Sequence, residues 1–74
     1  MKVTFEHTDT FGGEANYCWA KRGELDVPEG TSDRKIVRAV KRELGLSGVP
    51  CSREEWGETI VLRPRGICQI VFID

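Results

Sequence analysis

The sequence predicts an α+β domain in which an antiparallel sheet of four to five strands carries one amphipathic helix on one face, in the order ββ-α-βββ. Three observations carry that expectation. The first residues alternate polar and apolar with a period of two. Residues 31–46 hold a capped apolar stripe at helical spacing. The C-terminal third contains short β-branched runs separated by turn residues. With 74 residues the chain is read as a single domain, 1–74.

Lys2 to His7 places Val3, Phe5 and His7 on one face and Lys2, Thr4 and Glu6 on the other, the pattern of a half-buried strand. Thr8 to Glu14 is turn chemistry: Asp9 can bond its own backbone, and Gly12-Gly13 accept positive φ. Ala15 to Arg22, with Tyr17 and Trp19, reads as the return strand; Leu25 and Val27 extend it past Gly23, a candidate bulge, until Pro28-Glu29-Gly30 ends it. Thr31 or Ser32 caps the helix, Asp33 suits its first turn, Lys41 and Arg42 its last, and Gly45 its C′ position. Ile36, Val37, Val40 and Leu44 fall within about 100° of arc and form the core-facing stripe. Leu46 folds back on Val40 beyond the glycine.

Cys51 to Glu55 is open between two readings, a short capped helix through Ser52-Arg53-Glu54-Glu55 or a charged edge strand. Glu58 to Arg63 is a strand, Arg63-Pro64-Arg65-Gly66 a turn, and Ile67 to Ile73 a final strand. The unbroken Ile70-Val71-Phe72-Ile73 marks that strand as central, covered on both faces or meeting a partner on its outer one. One helix covers only one face of a sheet. The other face is polar or is a binding surface.

Composition narrows the function classes. Hydrophobic residues at 39% and charged residues at 31% describe a globular chain and not a disordered one. A domain of this size buries roughly 60% of its unfolded surface, which leaves little interior for an enclosed active site and favours a binding module over an enzyme. The net charge of −1, from 11 basic and 12 acidic residues, excludes a globally basic nucleic-acid binder while permitting a local patch. No apolar run approaches the length of about 18 residues that spans a membrane, and Met1 to His7 lacks the apolar stretch of a secretory signal. The expected location is the cytoplasm, with no membrane partner. Cys18, Cys51 and Cys68 are widely spaced, no CxxC occurs and His7 is the sole histidine, so neither a disulfide framework nor a metal or cofactor site is expected. Buried reduced thiols are the expected state.

Five candidate surfaces follow. Arg34, Lys35, Arg38, Lys41 and Arg42 span roughly 120° of the helix away from its apolar stripe. Residues 31–46 hold five basic and two acidic residues, against three and six over residues 1–30 and three and four over residues 47–74. Such a face contacts phosphates or an acidic protein, or is simply solvated. Phe11 lies between turn residues and glycines and is either an exposed anchor or a staple of the hairpin. Tyr17 and Trp19 are expected on one strand face with Lys21 beyond, an arrangement used to stack single-stranded bases and more often found as core. Cys18 and His7 lie on neighbouring strands, but no third residue orients them for nucleophilic catalysis, and no catalytic residue is assigned. The acidic residues Glu6, Glu24, Asp26, Glu29, Glu54, Glu55 and Glu58 meet a basic partner if they cluster and are ordinary surface charge otherwise.

The stretch Thr8-Asp9-Thr10-Phe11-Gly12-Gly13-Glu14-Ala15-Asn16-Tyr17-Cys18-Trp19, together with Leu62-Arg63-Pro64-Arg65-Gly66-Ile67-Cys68, resembles small uncharacterised proteins of bacteriophages, prophages and other mobile elements. The resemblance covers most of the chain and carries no site residues across. Small α+β proteins of such origin include anti-CRISPR inhibitors, which bind a CRISPR effector complex without chemistry. The resemblance therefore implies a non-enzymatic inhibitor in the cytoplasm of a bacterial host, binding a host protein or ribonucleoprotein complex. The contact surface expected from the residues themselves is the exposed sheet face, the Phe11 loop and one of the charged patches. The alternative is a small nucleic-acid-binding accessory protein using Arg34, Arg38, Lys41 and Arg42 with Tyr17 and Trp19. A third option is an interaction module of host metabolism, or a dimer that self-associates through an edge strand.

Overall fold

The computed structural model describes residues 1–12 and 14–74. Its elements are β1 (Lys2–Phe11), β2 (Glu14–Asp26), α1 (Asp33–Glu43), β3 (Cys51–Trp56), β4 (Thr59–Pro64) and β5 (Gln69–Ile73). The strands form one sheet in the order β2-β1-β5-β4-β3, every neighbouring pair antiparallel. The predicted α+β class and ββ-α-βββ order are thus what the chain adopts. β5, the most apolar run, occupies the centre of the sheet. α1 carries the chain from one edge of the sheet to the other.

Register explains the core. Phe5 stands opposite Ile73 on β5, Ile73 opposite Ile60 on β4, and Val71 opposite both His7 and Leu62, so these side chains share one face. Val3, Phe5, Ile60, Leu62, Val71 and Ile73 pack there with Ile36 and Val40 of α1 and with Leu46. Each such side chain removed from water contributes about 1.5–3 kcal/mol before the entropy of ordering is set against it. Val61, Phe72 and Ile70 point to the opposite face, which α1 does not cover.

The helix begins and ends as its sequence dictates. Ser32 is the N-cap, its hydroxyl accepting from Lys35 N. At the other end Leu46 N–H donates to Lys41 O at 2.7 Å and Gly45 N–H to Arg42 O at 3.3 Å. This is the paired bonding of a Schellman turn, with Gly45 at φ 73. The turn reverses the chain and delivers Leu46 into the same cluster as Val40.

Several expectations are corrected. Thr8 to Phe11 continues β1 rather than turning: the Asp9 carboxylate bonds its own backbone, as expected, but also reaches across the hairpin to Cys18 N–H; Gly13, the second glycine of the expected turn, lies outside the described residues. Gly23 is no bulge. It pairs in register with Phe5, and an added Cβ there would lie 2.6 Å from Phe5 Cζ, so glycine makes room for the ring. Cys51 to Glu55 is strand β3, an edge whose charges pair as Arg53–Glu55 at 2.8 Å, Arg63–Glu54 at 3.3 Å and Arg53–Asp33 at 3.4 Å. The final strand starts at Gln69, leaving Ile67 exposed in the preceding turn. Of the thiols expected to be buried, Cys18 and Cys68 are exposed and Cys51 half-buried, all unpaired.

Candidate functional site

The hairpin of β1 and β2 departs from regular pairing where the distinctive residues lie. Pairing runs in register from Lys2↔Asp26 to Thr8↔Ala20 and resumes at Thr10↔Ala15, so Asn16, Tyr17, Cys18 and Trp19 stand opposite the single residue Asp9. Such a bulge leaves backbone groups without ladder partners. Asp9 supplies one: its carboxylate accepts from Cys18 N–H at 2.9 Å and from Asn16 Nδ2 at 3.0 Å. Thr8, fully buried, donates its hydroxyl to Trp19 O at 2.6 Å. Asn16 above all, then Cys18 N–H, holds the Asp9 carboxyl below its ordinary value of 3.8.

Tyr17 takes φ 57, a left-handed conformation that costs a residue with a Cβ about 1–2 kcal/mol. Its hydroxyl bonds to Glu6, which also accepts from Arg22 at 2.6 Å. Arg22 first, and Tyr17 second, holds Glu6 below its ordinary value of 4.5, while Glu6 raises Tyr17 above 10.0. Glu6 belongs to the open sheet face. Trp19 instead packs edge-on against His7, ring centres 4.9 Å apart, on the helix-covered face. Tyr17 and Trp19 therefore lie against opposite faces, and the expected shared stacking platform does not form.

The Cys18–His7 pairing does not form either. His7 Nε2 is 2.8 Å from Gln69 Oε1, its Nδ1 is buried without a partner, and the Cys18 thiol accepts from Asn16 Nδ2 at 2.9 Å. Among the described residues no group of three or more His, Cys, Asp or Glu is placed to hold a metal ion. No helix among them is long and apolar enough to cross a membrane.

Phe11 stands apart from these bonded residues. It pairs through its backbone with Glu14 at the end of the ladder, while its side chain is 80% exposed. Thr10 N–H donates to Cys68 O at 3.0 Å, so the β4–β5 turn with exposed Ile67 lies beside the same end of the hairpin. The two stretches that carry the sequence resemblance are thus neighbours in space. Ile67 was not singled out from sequence, because it reads as the start of a strand.

Two further surfaces lie outside this arm. On the open sheet face, Trp56 and Phe72 stack at a tilt, 6.0 Å between centres, over a strip that includes Val61 and Ile70. Thr4, Glu6, Arg22, Glu24, Phe72 and Asp74 line a groove of about 470 Å³ beside them. Register also brings Asp26 and Glu54 to this face, whereas Glu55 turns to the other. Trp56 became visible only with β3 resolved as a strand. On the outer flank of α1, Arg34, Arg38, Lys41 and Arg42 line a separate concavity of about 430 Å³ with Val37, Ser47 and Gly48. Neither Tyr17 nor Trp19 reaches it.

Compared with known proteins, the chain matches no protein-family model, no curated protein and no solved structure at a significant level.

Proposed function

We propose that this protein is a non-enzymatic binding inhibitor that occupies a site on a host protein or ribonucleoprotein complex, with the β1–β2 hairpin as the element that reaches it. The observation that carries this reading is the contrast between Phe11 and its neighbours. Thr8, Asp9, Asn16, Tyr17, Cys18 and Trp19 all form bonds or ring contacts that brace the arm, while Phe11 is 80% exposed at its end. A large apolar side chain held out on a stiffened backbone binds without a large ordering cost, the property of an interface anchor. Exposed Ile67, in the turn beside the same end of the hairpin, widens the contact around it. Origin in a phage or mobile element, and a CRISPR effector complex as the partner, rest on the sequence resemblance; the geometry supports the anchor.

The experiment is inhibition of purified CRISPR effector complexes, single-protein and multisubunit, with target cleavage as readout and direct binding measured beside it. Burying one aromatic anchor is worth about 2–4 kcal/mol, so Phe11→Ala should weaken binding about 30- to 1,000-fold while leaving the melting temperature unchanged. Absence of inhibition across the effectors would remove the CRISPR assignment. Inhibition with full potency in Phe11→Ala would remove the anchor.

A further inference from the structure

We propose that the outer flank of α1 is a second binding site, specific for the sugar–phosphate backbone of a nucleic acid. The site consists of Arg34, Arg38 and Arg42, with Lys41 at its inner wall, and faces away from the core that α1 covers. It does not depend on the anchor at Phe11.

The pairing of arginines across the molecule points to it. Each arginine within a strand has a carboxylate partner: Arg22 with Glu6, Arg53 with Glu55 and Asp33, Arg63 with Glu54. Among the described residues, the guanidinium groups of Arg34, Arg38 and Arg42 have neither an ion pair nor a hydrogen bond. The acids nearest in sequence do not offset them. Asp33 is drawn toward the sheet by Arg53, and Glu43 is not among the residues lining the concavity. Four cations therefore share a concave surface that no acid lines among the described residues, and their fields add there.

Spacing decides what such a surface fits. Arg34, Arg38 and Arg42 recur every four residues, about 6 Å apart along the axis and about 12 Å end to end. At about 3.4 Å of axial rise per phosphate, that length matches three to four phosphates of one duplex strand. Guanidinium forks bond phosphate oxygens in pairs. The concavity is shaped by the turn after α1: Gly45 and Gly48 take φ 73 and 81, and Lys41 Nζ donates to Val49 O at 2.7 Å, fixing Ser47 and Gly48 as the far wall.

An acidic protein surface is the competing occupant. Protein interfaces carry an apolar or aromatic centre, and among the described residues lining this flank Val37 is the one large apolar side chain. A backbone of regularly spaced phosphates needs no such centre.

The test is fluorescence polarisation of the full chain with a fluorescein-labelled mixed-sequence DNA duplex and an RNA duplex, in the absence of any protein partner. Three to four phosphate contacts predict an affinity falling roughly 40- to 150-fold between about 50 and about 200 mM salt. Arg38→Gln should reduce the log–log salt slope by about 0.9, and Arg34→Gln/Arg38→Gln/Arg42→Gln should abolish binding with the thermal unfolding curve unchanged. Lys41 is left in place because it holds the turn. No saturable binding at low salt, a triple variant that binds like the wild type, or displacement of the duplex by a polyglutamate peptide at equal charge would each overturn the proposal. Since Phe11 is untouched, failure here leaves the hairpin reading standing, and the converse holds.

Discussion

Gly23→Ala tests how the hairpin is held in register. The added Cβ would stand 2.6 Å from Phe5 Cζ and 3.1 Å from both Cε atoms. Two effects compete. Alanine restricts the unfolded chain and favours folding by about 0.5–1 kcal/mol where its backbone fits. Against this, Phe5 is 7% exposed and belongs to the core cluster, so its ring gives way only by disturbing that packing. Overpacking of this kind costs about 1–3 kcal/mol. The clash wins, with a net loss of about 1–2 kcal/mol and a melting temperature lower by about 4–16 °C for a domain of this size. The decisive measurement is a double-mutant cycle by urea unfolding with tryptophan fluorescence. Phe5→Leu removes the ring carbons that clash, so in that background Gly23→Ala should become neutral or stabilising, a coupling of about 1.5–2.5 kcal/mol. If Gly23→Ala costs the same with leucine at position 5, the close approach is not what selects glycine.

Two predictions concern pH and the helix end. Glu6 and Asp9 both have folded-state values below their ordinary 4.5 and 3.8, so the stability they contribute is full above those ordinary values and is lost as pH falls through the depressed ones. The stability difference between wild type and Glu6→Gln/Asp9→Asn, read from urea midpoints, should hold steady above about pH 5 and shrink on further acidification; a pH-independent difference would refute the assignment. Gly45→Ala, at φ 73 with open space around the added Cβ, should cost about 1 kcal/mol through backbone strain alone. Gly45→Asn should recover part of the loss, because asparagine tolerates the left-handed conformation. Equal losses in thermal melts of the two variants would point away from strain.

The fold was legible where local chemistry and packing agree. α1 declares itself through Ser32, the Ile36-Val37-Val40-Leu44 stripe and Gly45, and the structure uses each as its chemistry requires. β5 was recognisable as central because a strand buried on both faces has no reason to alternate. The segment from Cys51 to Glu55 stayed open between helix and strand, since a capping box and a charged edge share residue types and only pairing with β4 separates them. Burial of the thiols was not legible at all. Two of the three lie at the irregular end of the sheet, in positions that no local pattern marks as exposed.

The aromatic residues of the hairpin were misread for a reason rooted in geometry. Period-two reasoning puts residues 17 and 19 on one face only while the ladder is regular. Four residues opposite one, and a left-handed Tyr17, break that parity and send the two rings to opposite sides of β1. The helix flank suffers no such failure of parity: α1 is regular, and four of the five basic residues on the arc read from the sequence line one concavity, Lys35 lying outside it. The contrast bears on function. A domain with a core this small has little stability to spare, yet it keeps a residue strained by about 1–2 kcal/mol and surrounds it with Asp9, Asn16 and Glu6 to hold it there. A regular ladder without the four-against-one bulge would join the same two strands at lower cost. Retention of the costlier form, with Phe11 exposed at its end, favours a role for the arm beyond joining β1 to β2. Shortening the arm to a regular hairpin that lacks both the bulge and Phe11 should therefore raise stability and abolish partner binding together, whereas a shortened variant that still binds would assign recognition to another surface.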